Sequence, residues 1–446
     1  MTSSARETFT SRFGTLMTMI GVAVGLGNVW RFPYMVGKFG GAAFVLLYVL
    51  VALVIGVPAL MAEWALGRHT KRGPVGAFSA GGLPFGRFMG WFFFFVVSAA
   101  TAYYTAVVGW VLFFALADVA SVFGPSVDAS AILPPDEGFS ARSFLLQMGC
   151  TAAVILACAA VLIRGLRSGI EAASKIIMPT LFVILLILVV RSLTLPHAME
   201  GVQWYILKFS LADINAKVMM AAMGQAIFSL SLGGTFMVVY GSYLSSQERL
   251  ANNAAWTVAG DTAAGLLAGL VIIPAAVAIG LPVSSGPTLL FSTIPHVFAA
   301  IPLGWLFGFL FFAGLFGAAY LSDVAAFEVL VAGLTDNTRV NRTRAVWIMS
   351  GVVFLLAIPP SINNRIFVPW DLLFGSGMQT LGSLLAVVTI GWCVQRSAAL
   401  KALAQEGGAT VPAWLFYWIR FGIPAAILSV GVWWLMTSVF GTIAGV

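Results

Sequence analysis

The chain has 446 residues, of which 60% are hydrophobic and only 9% charged, and its mean hydropathy is +1.00. Such values exclude an ordinary soluble domain and make lipid the solvent for most of its surface. The net charge of +7 calls for no nucleic-acid partner, because the position of the basic residues relative to the membrane accounts for it.

A helix needs about 20 apolar residues to cross a bilayer. On that measure the apolar runs predict an all-α polytopic membrane protein with about eleven spans, near 14–36, 41–67, 86–117, 143–164, 174–195, 216–243, 254–281, 301–334, 344–362, 370–394 and 413–440. The runs are continuous rather than alternating, which argues against a β-barrel. The polar head MTSSARETFTSRFG enters the first span without an A-x-A cleavage pattern, so it reads as mature protein. With the N-terminus cytoplasmic, the inner segments collect 16 of the 23 Lys and Arg, from Arg6 and Arg12 through Arg68, Lys71 and Arg72 to Arg396 and Lys401. That asymmetry is the positive-inside bias and sets the expected orientation in a prokaryotic plasma (inner) membrane.

No Ser/Gly linker or compositional shift divides the chain, so one membrane domain is expected. The longest outer connections lie near 118–142 and 282–300, the second read as a short re-entrant hairpin. Cys150, Cys158 and Cys393 have no C-x-x-C spacing, the three His are scattered, and there is neither a P-loop nor an H-E-x-x-H. An enzyme would need a convergent nucleophile, base or metal cluster, and none can be assembled from these residues.

Two spans carry residues that a lipid-bathed helix avoids. The first contains GVAVGLGNVWRFPY, Gly21–Tyr34, with three glycines and an Asn within eight residues, and the sixth contains GQAIFSLSLGGTFMVVYGSYL, Gly224–Leu244. Irregular backbone at membrane depth is tolerated only where it lines a cavity or is buried in protein. Interruptions in spans one and six predict two five-span inverted repeats, about 10–195 and 205–396, followed by an extra helix near 413–440, with a binding site at the midplane. The breaks free carbonyls for a cation and amide N–H groups for an anion.

These stretches, together with EWALGR, SKIIMPTLFV and DTAAGLLAGL followed by Pro274, resemble the prokaryotic neurotransmitter:sodium symporters along almost the whole chain. The resemblance implies the inverted-repeat fold and sodium-driven uptake of an amino acid or related zwitterion by alternating access, with spans one, two, six and seven rocking against the rest. It implies a first sodium site made of the Ala23 carbonyl, Asn28, Ser229 and Asp261. It also implies that an acid in this region stands in for chloride, so one or two sodium ions and no chloride are expected.

A second sodium site is implied at the carbonyls of Gly21, Val24 and Ala318 with two adjacent polar side chains of span eight. Direct alignment puts Leu321 and Ser322 there; a slip of one residue puts Ser322 and Asp323, the pair this reading takes. Were Asp323 to titrate during the cycle, coupling would involve protons. For the substrate, the amides of Leu26 and Gly27 and the Tyr104 hydroxyl match a carboxylate cradle. The amine falls to carbonyls of Ala23, Phe228 and Ser229 and to Ser231.

Ala100, Val107, Phe228, Gly234 and Ala326 are the implied lining. Small residues at 100, 234 and 326 suggest room for a large apolar or aromatic side chain, unless Phe236 or Met237 fills it. Arg31 with Asp371 matches an outer gate and Arg6 with Asp336 an inner one. Glu63 and Glu328 are assigned to hydrogen bonds that stabilise the broken helices. Two rival functions stay open: proton-coupled or uncoupled amino-acid exchange, and an amino-acid sensor that does not transport.

Overall fold

The computed structural model describes residues 7–124, 127–208, 211–280, 290–291, 294–407 and 410–440. These are helical with short connections, and no strand occurs among them. In a bilayer core no water is available to satisfy backbone N–H and C=O groups, so a helix, which pairs them internally, is the economical solution.

Among the described residues, eight continuous helices are long and apolar enough to cross a membrane: Ala42–Thr70, Gly86–Phe123, Ala141–Ile163, Leu166–Leu193, Leu250–Ala278, Gly304–Asn337, Asn364–Cys393 and Ala413–Thr437. The pair Arg12–Ala23 and Gly27–Phe39, bent by 56°, makes a ninth. Two pieces supply the remaining expected spans. One is the broken pair Ala216–Ser229 and Phe236–Ser242; the other is Arg342–Leu356, too short to pass the same test. In chain order these form spans one to eleven, with breaks in spans one and six as the sequence predicts. Of the hairpin expected near 282–300, only the helix Ile294–Ala299 and residues 290–291 and 300 lie within the described residues.

Side-chain caps set several span boundaries. Ser11 accepts the Gly14 amide at the start of span one, and Asn215 and Asn341 accept Val218 and Arg344 amides at the starts of spans six and nine. Each such cap satisfies one of the donors that a helix start leaves bare, worth about 1 kcal/mol. Span ten begins at Asn364 rather than 370 because Asn363 caps it through the Ile366 amide. Span five begins at Leu166 rather than 174, just after Gly165 turns the chain at φ 84°. Its first turns carry Glu171, which accepts the Thr10 amide and hydroxyl and pairs with Lys175 at 2.6 Å, tying the N-terminal segment to span five.

Span three runs along span eight, and the second half of span six runs along span two. The latter approach is close because Gly241 faces the Trp64 backbone, where an added Cβ would lie 2.5 Å from Cα and 2.6 Å from the carbonyl oxygen. Small residues at such crossings replace the hydrophobic drive that lipid does not supply. At the C-terminal end of span two, Arg68 donates to the carbonyls of Ala402, Ala404 and Glu248, gathering the ends of three segments.

Gly241→Ala should therefore force spans two and six apart. The expected cost is about 1–3 kcal/mol, to be read as a lowered melting temperature of the detergent-purified protein; an unchanged midpoint would mean the helices separate freely.

Candidate functional site

The break in span one begins where Val24 leaves helical geometry (φ −72°, ψ 119°). Beyond it the helix resumes with one widened turn, Gly27–Arg31, in which the Phe32 amide bonds the Gly27 carbonyl five residues back. The groups released by the break find partners on other spans. The Val22 carbonyl accepts Ser231 at 2.9 Å and Ser322 at 3.4 Å, and the Leu26 amide reaches the Tyr104 hydroxyl at 3.4 Å; the Gly27 carbonyl, already bonded to Phe32, also accepts Gln225 at 3.1 Å.

Span six breaks more sharply. Ser231, Gly233, Gly234 and Thr235 all have positive φ (51°, 91°, 54° and 63°). Left-handed backbone at a β-branched Thr is unfavourable and persists only where surroundings enforce it. Here the enforcing contact is the buried Glu63, whose Oε1 accepts the Gly233 amide at 3.0 Å. Glu63 thus holds the break as expected. Glu328 also makes an expected interhelical hydrogen bond, accepting Tyr243 at the end of span six, and in addition pairs with Arg342 of span nine at 2.6 Å.

Asn28, Ser229 and Asp261, drawn from spans one, six and seven, meet at one point and are almost wholly buried. The Asn28 amide nitrogen donates to Asp261 Oδ1 at 2.7 Å and to Ser229 Oγ at 2.9 Å, while its oxygen accepts the Gly25 amide at 3.0 Å. Ser229 and Tyr48 donate to Asp261 Oδ2 at 2.8 and 3.1 Å. No basic side chain is within ion-pair distance of Asp261 among the described residues. A buried carboxylate held only by neutral donors is costly. A hard cation taking the free lone pairs of Asp261, Asn28 and Ser229 together with the Ala23 carbonyl would supply the missing charge, so these oxygen donors fit sodium.

Directly beside this cluster lies a cavity of about 70 Å³. Ala23, Leu26, Gly27, Ala100 and Tyr104 line it, and so do Phe228, Ser229, Ser231 and Ala326. Two expected lining residues do not. Val107 is packed in the core at 1% exposure, and Gly234 is covered by the Phe236 ring, which takes the space that the missing side chain leaves. The room inferred from position 234 is therefore filled. The sequence reading also missed Gly25, Thr101, Tyr103, Ser322 and Gln379, which line the cavity. Gly25 carried a signal, being the middle glycine of GVAVGLG; Gln379, in an unbroken helix, carried none.

The second proposed ion site is only partly assembled. Ser322 turns toward the span-one break through Val22. Leu321 presses its side chain on Gly21, where an added Cβ would lie 3.0 Å from Leu321 Cδ1. Asp323 does not share that face: its Oδ1 accepts Thr105 at 2.9 Å and its Oδ2 lies 3.7 Å from the Cys158 sulfur. Successive helix residues point about 100° apart, so Ser322 and Asp323 do not converge on span one, which corrects the pairing read from the sequence.

The residues expected to form the outer gate, Arg31 and Asp371, are neighbours but do not form an ion pair among the described residues; the Arg31 guanidinium lies 4.2 Å from the Phe228 ring centroid instead. A cation over an aromatic face is attracted by its quadrupole, so Arg31 is held against Phe228, which lines the cavity. The Asp371 carboxylate and Tyr103 hydroxyl converge beside Gly375. Of the inner pair, Asp336 accepts the Gly73 amide at 2.6 Å, and Arg6 lies outside the described residues.

The chain as a whole has close counterparts among known proteins. The model of the sodium:neurotransmitter symporter family matches residues 6–123 and 144–440. The chain belongs to that family. Among its relatives are sodium-dependent transporters of Haemophilus influenzae, 30% identical over 95% of this chain and 97% of that protein, and of Bacillus subtilis, 31% identical over 94% and 96%. The crystal structure of MhsT in complex with L-phenylalanine superposes with a TM-score of 0.81 at 33% identity, covering 96% of this chain and 99% of that one. This symporter is accordingly a sodium-coupled membrane transporter and not an enzyme.

Gly25 sets the floor of its cavity: a Cβ there would lie 2.8 Å from the Tyr104 hydroxyl and 3.2 Å from Ser322 Oγ. Gly25→Ala should abolish solute binding, measured by scintillation proximity, while leaving the elution profile and melting temperature unchanged; retained binding would mean that the cavity is not the site.

Proposed function

We propose that this symporter couples sodium entry to uptake of a zwitterionic amino acid with an apolar or aromatic side chain, without chloride. The observation that carries the reading is the adjacency of the Asn28–Ser229–Asp261 cluster to the cavity bounded by Leu26, Gly27 and Tyr104. A substrate carboxylate at the Leu26 and Gly27 amides would reach both the Tyr104 hydroxyl and a sodium ion at the cluster, so each ligand completes the other's site. Reciprocal stabilisation of two ligands is a coupling free energy. The substrate amine would be left to the carbonyls of Ala23, Phe228 and Ser229 and to Ser231.

The chloride-independent reading is supported by Asp261 itself. Its carboxylate accepts Tyr48, Ser229 and Asn28, a set of neutral donors that could otherwise hold a free anion. An internal acid supplies the balancing negative charge permanently. The aromatic reading draws on the MhsT complex with L-phenylalanine. The 70 Å³ cavity is about half of the ~150 Å³ that admits benzene in an apolar core, so an aromatic side chain requires Phe236 or Phe228 to turn aside.

For the second sodium ion, the carbonyls of Gly21, Val24 and Ala318 with Ser322 form the proposed site, and Asp323 belongs to the packing of spans three, four and eight. The N-terminus is assigned to the cytoplasm, the two repeats to about 10–195 and 205–396, and Arg31, Asp371, Arg6 and Asp336 to the gates. Sensing without transport is the weaker reading, because the chain is matched by transporter relatives over almost its full length.

Uptake of labelled amino acids into proteoliposomes should require an inward sodium gradient, fail with potassium or choline, and persist when gluconate replaces chloride. Equal uptake in sodium and choline would sink the coupling. In the same assay Ser322→Ala should lower apparent sodium affinity about tenfold, whereas Asp323→Asn should change it less than threefold; the reverse order would restore Asp323 to the ion site.

A further inference from the structure

We infer that Gln379 of span ten reads the tip of the substrate's side chain, and that the preferred substrate carries a hydrogen-bonding group there, a phenol or an indole rather than a plain phenyl or alkyl end. The inference deepens the amino-acid reading above and rests on it. Polar side chains elsewhere around the cavity already have partners. The Ser229 hydroxyl donates to Asp261, Ser231 and Ser322 donate to the Val22 carbonyl, Thr101 donates to the Val97 carbonyl at 2.7 Å, and Tyr104 accepts the Leu26 amide. Gln379 is half-buried and lines the same cavity, yet its carboxamide makes no hydrogen bond among the described residues. A carboxamide offers two donors and an acceptor, and a ligand that leaves them dry and unpaired binds worse than one that engages them.

The fold holds Gln379 at this depth. Its backbone abuts Gly233, where an added Cβ would meet the Gln379 carbonyl, and one turn later a Cβ on Gly382 would lie 3.0 Å from the Gly234 amide nitrogen. Span ten is thereby pinned to the break in span six. Gln379 lies eight residues beyond the outer-gate Asp371, about 12 Å along a helix, which is the level of the break rather than the outer vestibule. Its helix packs against spans two and three, whereas the carboxylate cradle belongs to span one. A substrate anchored at Leu26 and Gly27 therefore extends its side chain toward the wall that holds Gln379 and Phe236. Sites that hydrogen-bond a substrate hydroxyl or N–H reject the analogue lacking it far more strongly than apolar pockets reject a missing methylene.

The test compares sodium-driven uptake of L-tyrosine, L-tryptophan and L-phenylalanine by the full chain in proteoliposomes. Wild-type protein should favour tyrosine or tryptophan over phenylalanine by tenfold or more in kcat/KM. Gln379→Leu should bring that ratio near one by raising KM for the polar-tipped substrate, with the elution profile and melting temperature of the purified protein as the folding control; Gln379→Met serves if the leucine variant does not fold. A wild-type preference for phenylalanine, or a ratio that neither variant moves, overturns the assignment. Absence of sodium-driven uptake of any amino acid in the wild type would overturn the transport reading beneath it.

Discussion

The constraint on which the rest of this structure depends is that backbone polar groups released inside a bilayer must find partners in the protein. Spans one and six both give up helical hydrogen bonds at mid-membrane, and each unsatisfied buried group costs about 1–3 kcal/mol. The partners come from elsewhere in the bundle: Ser231 and Ser322 for the Val22 carbonyl, Glu63 for the Gly233 amide. Those contacts bring spans six and eight onto span one, and span two onto span six. Of the polar side chains that repair the breaks, Ser231 and Ser322 also line the cavity.

Charge placement follows from the same economy. Asp261 is an acid in a medium that penalises charge, and its surroundings of Asn28, Ser229 and Tyr48 leave it short of a positive partner. In the reading proposed above, a co-transported cation would supply that partner while it is bound. By contrast, the pairs of Glu328 with Arg342 and of Glu171 with Lys175 are satisfied within the protein. The distinction separates a buried acid held only by neutral donors from acids that tie helices together through basic partners.

Parts of the architecture were legible along the chain because they rest on composition and local chemistry. Apolar runs of sufficient length mark spans whatever packs against them, and glycines clustered beside an Asn mark a break because no lipid-facing helix tolerates them. Residues 21–34 therefore disclosed both the break and the residues that gather around it. Span boundaries were less legible. The start of span ten depends on the Asn363 cap, and the start of span five on a single left-handed glycine at 165.

The sequence by itself determined that the chain lives in a membrane, where its helices are interrupted, and which family of sodium-coupled symporters it joins, because hydropathy and local motif need no third dimension. Tertiary structure alone decided which side chains share a face. Ser322 and Asp323 are adjacent in sequence yet point to different spans, since a helix turns about 100° per residue; Gly234 leaves a gap that Phe236 fills; and Gln379, unremarkable in its own helix, reaches the cavity only because span ten is held against the break in span six. Such facts depend on the rotation and close approach of whole helices, which no window of sequence contains.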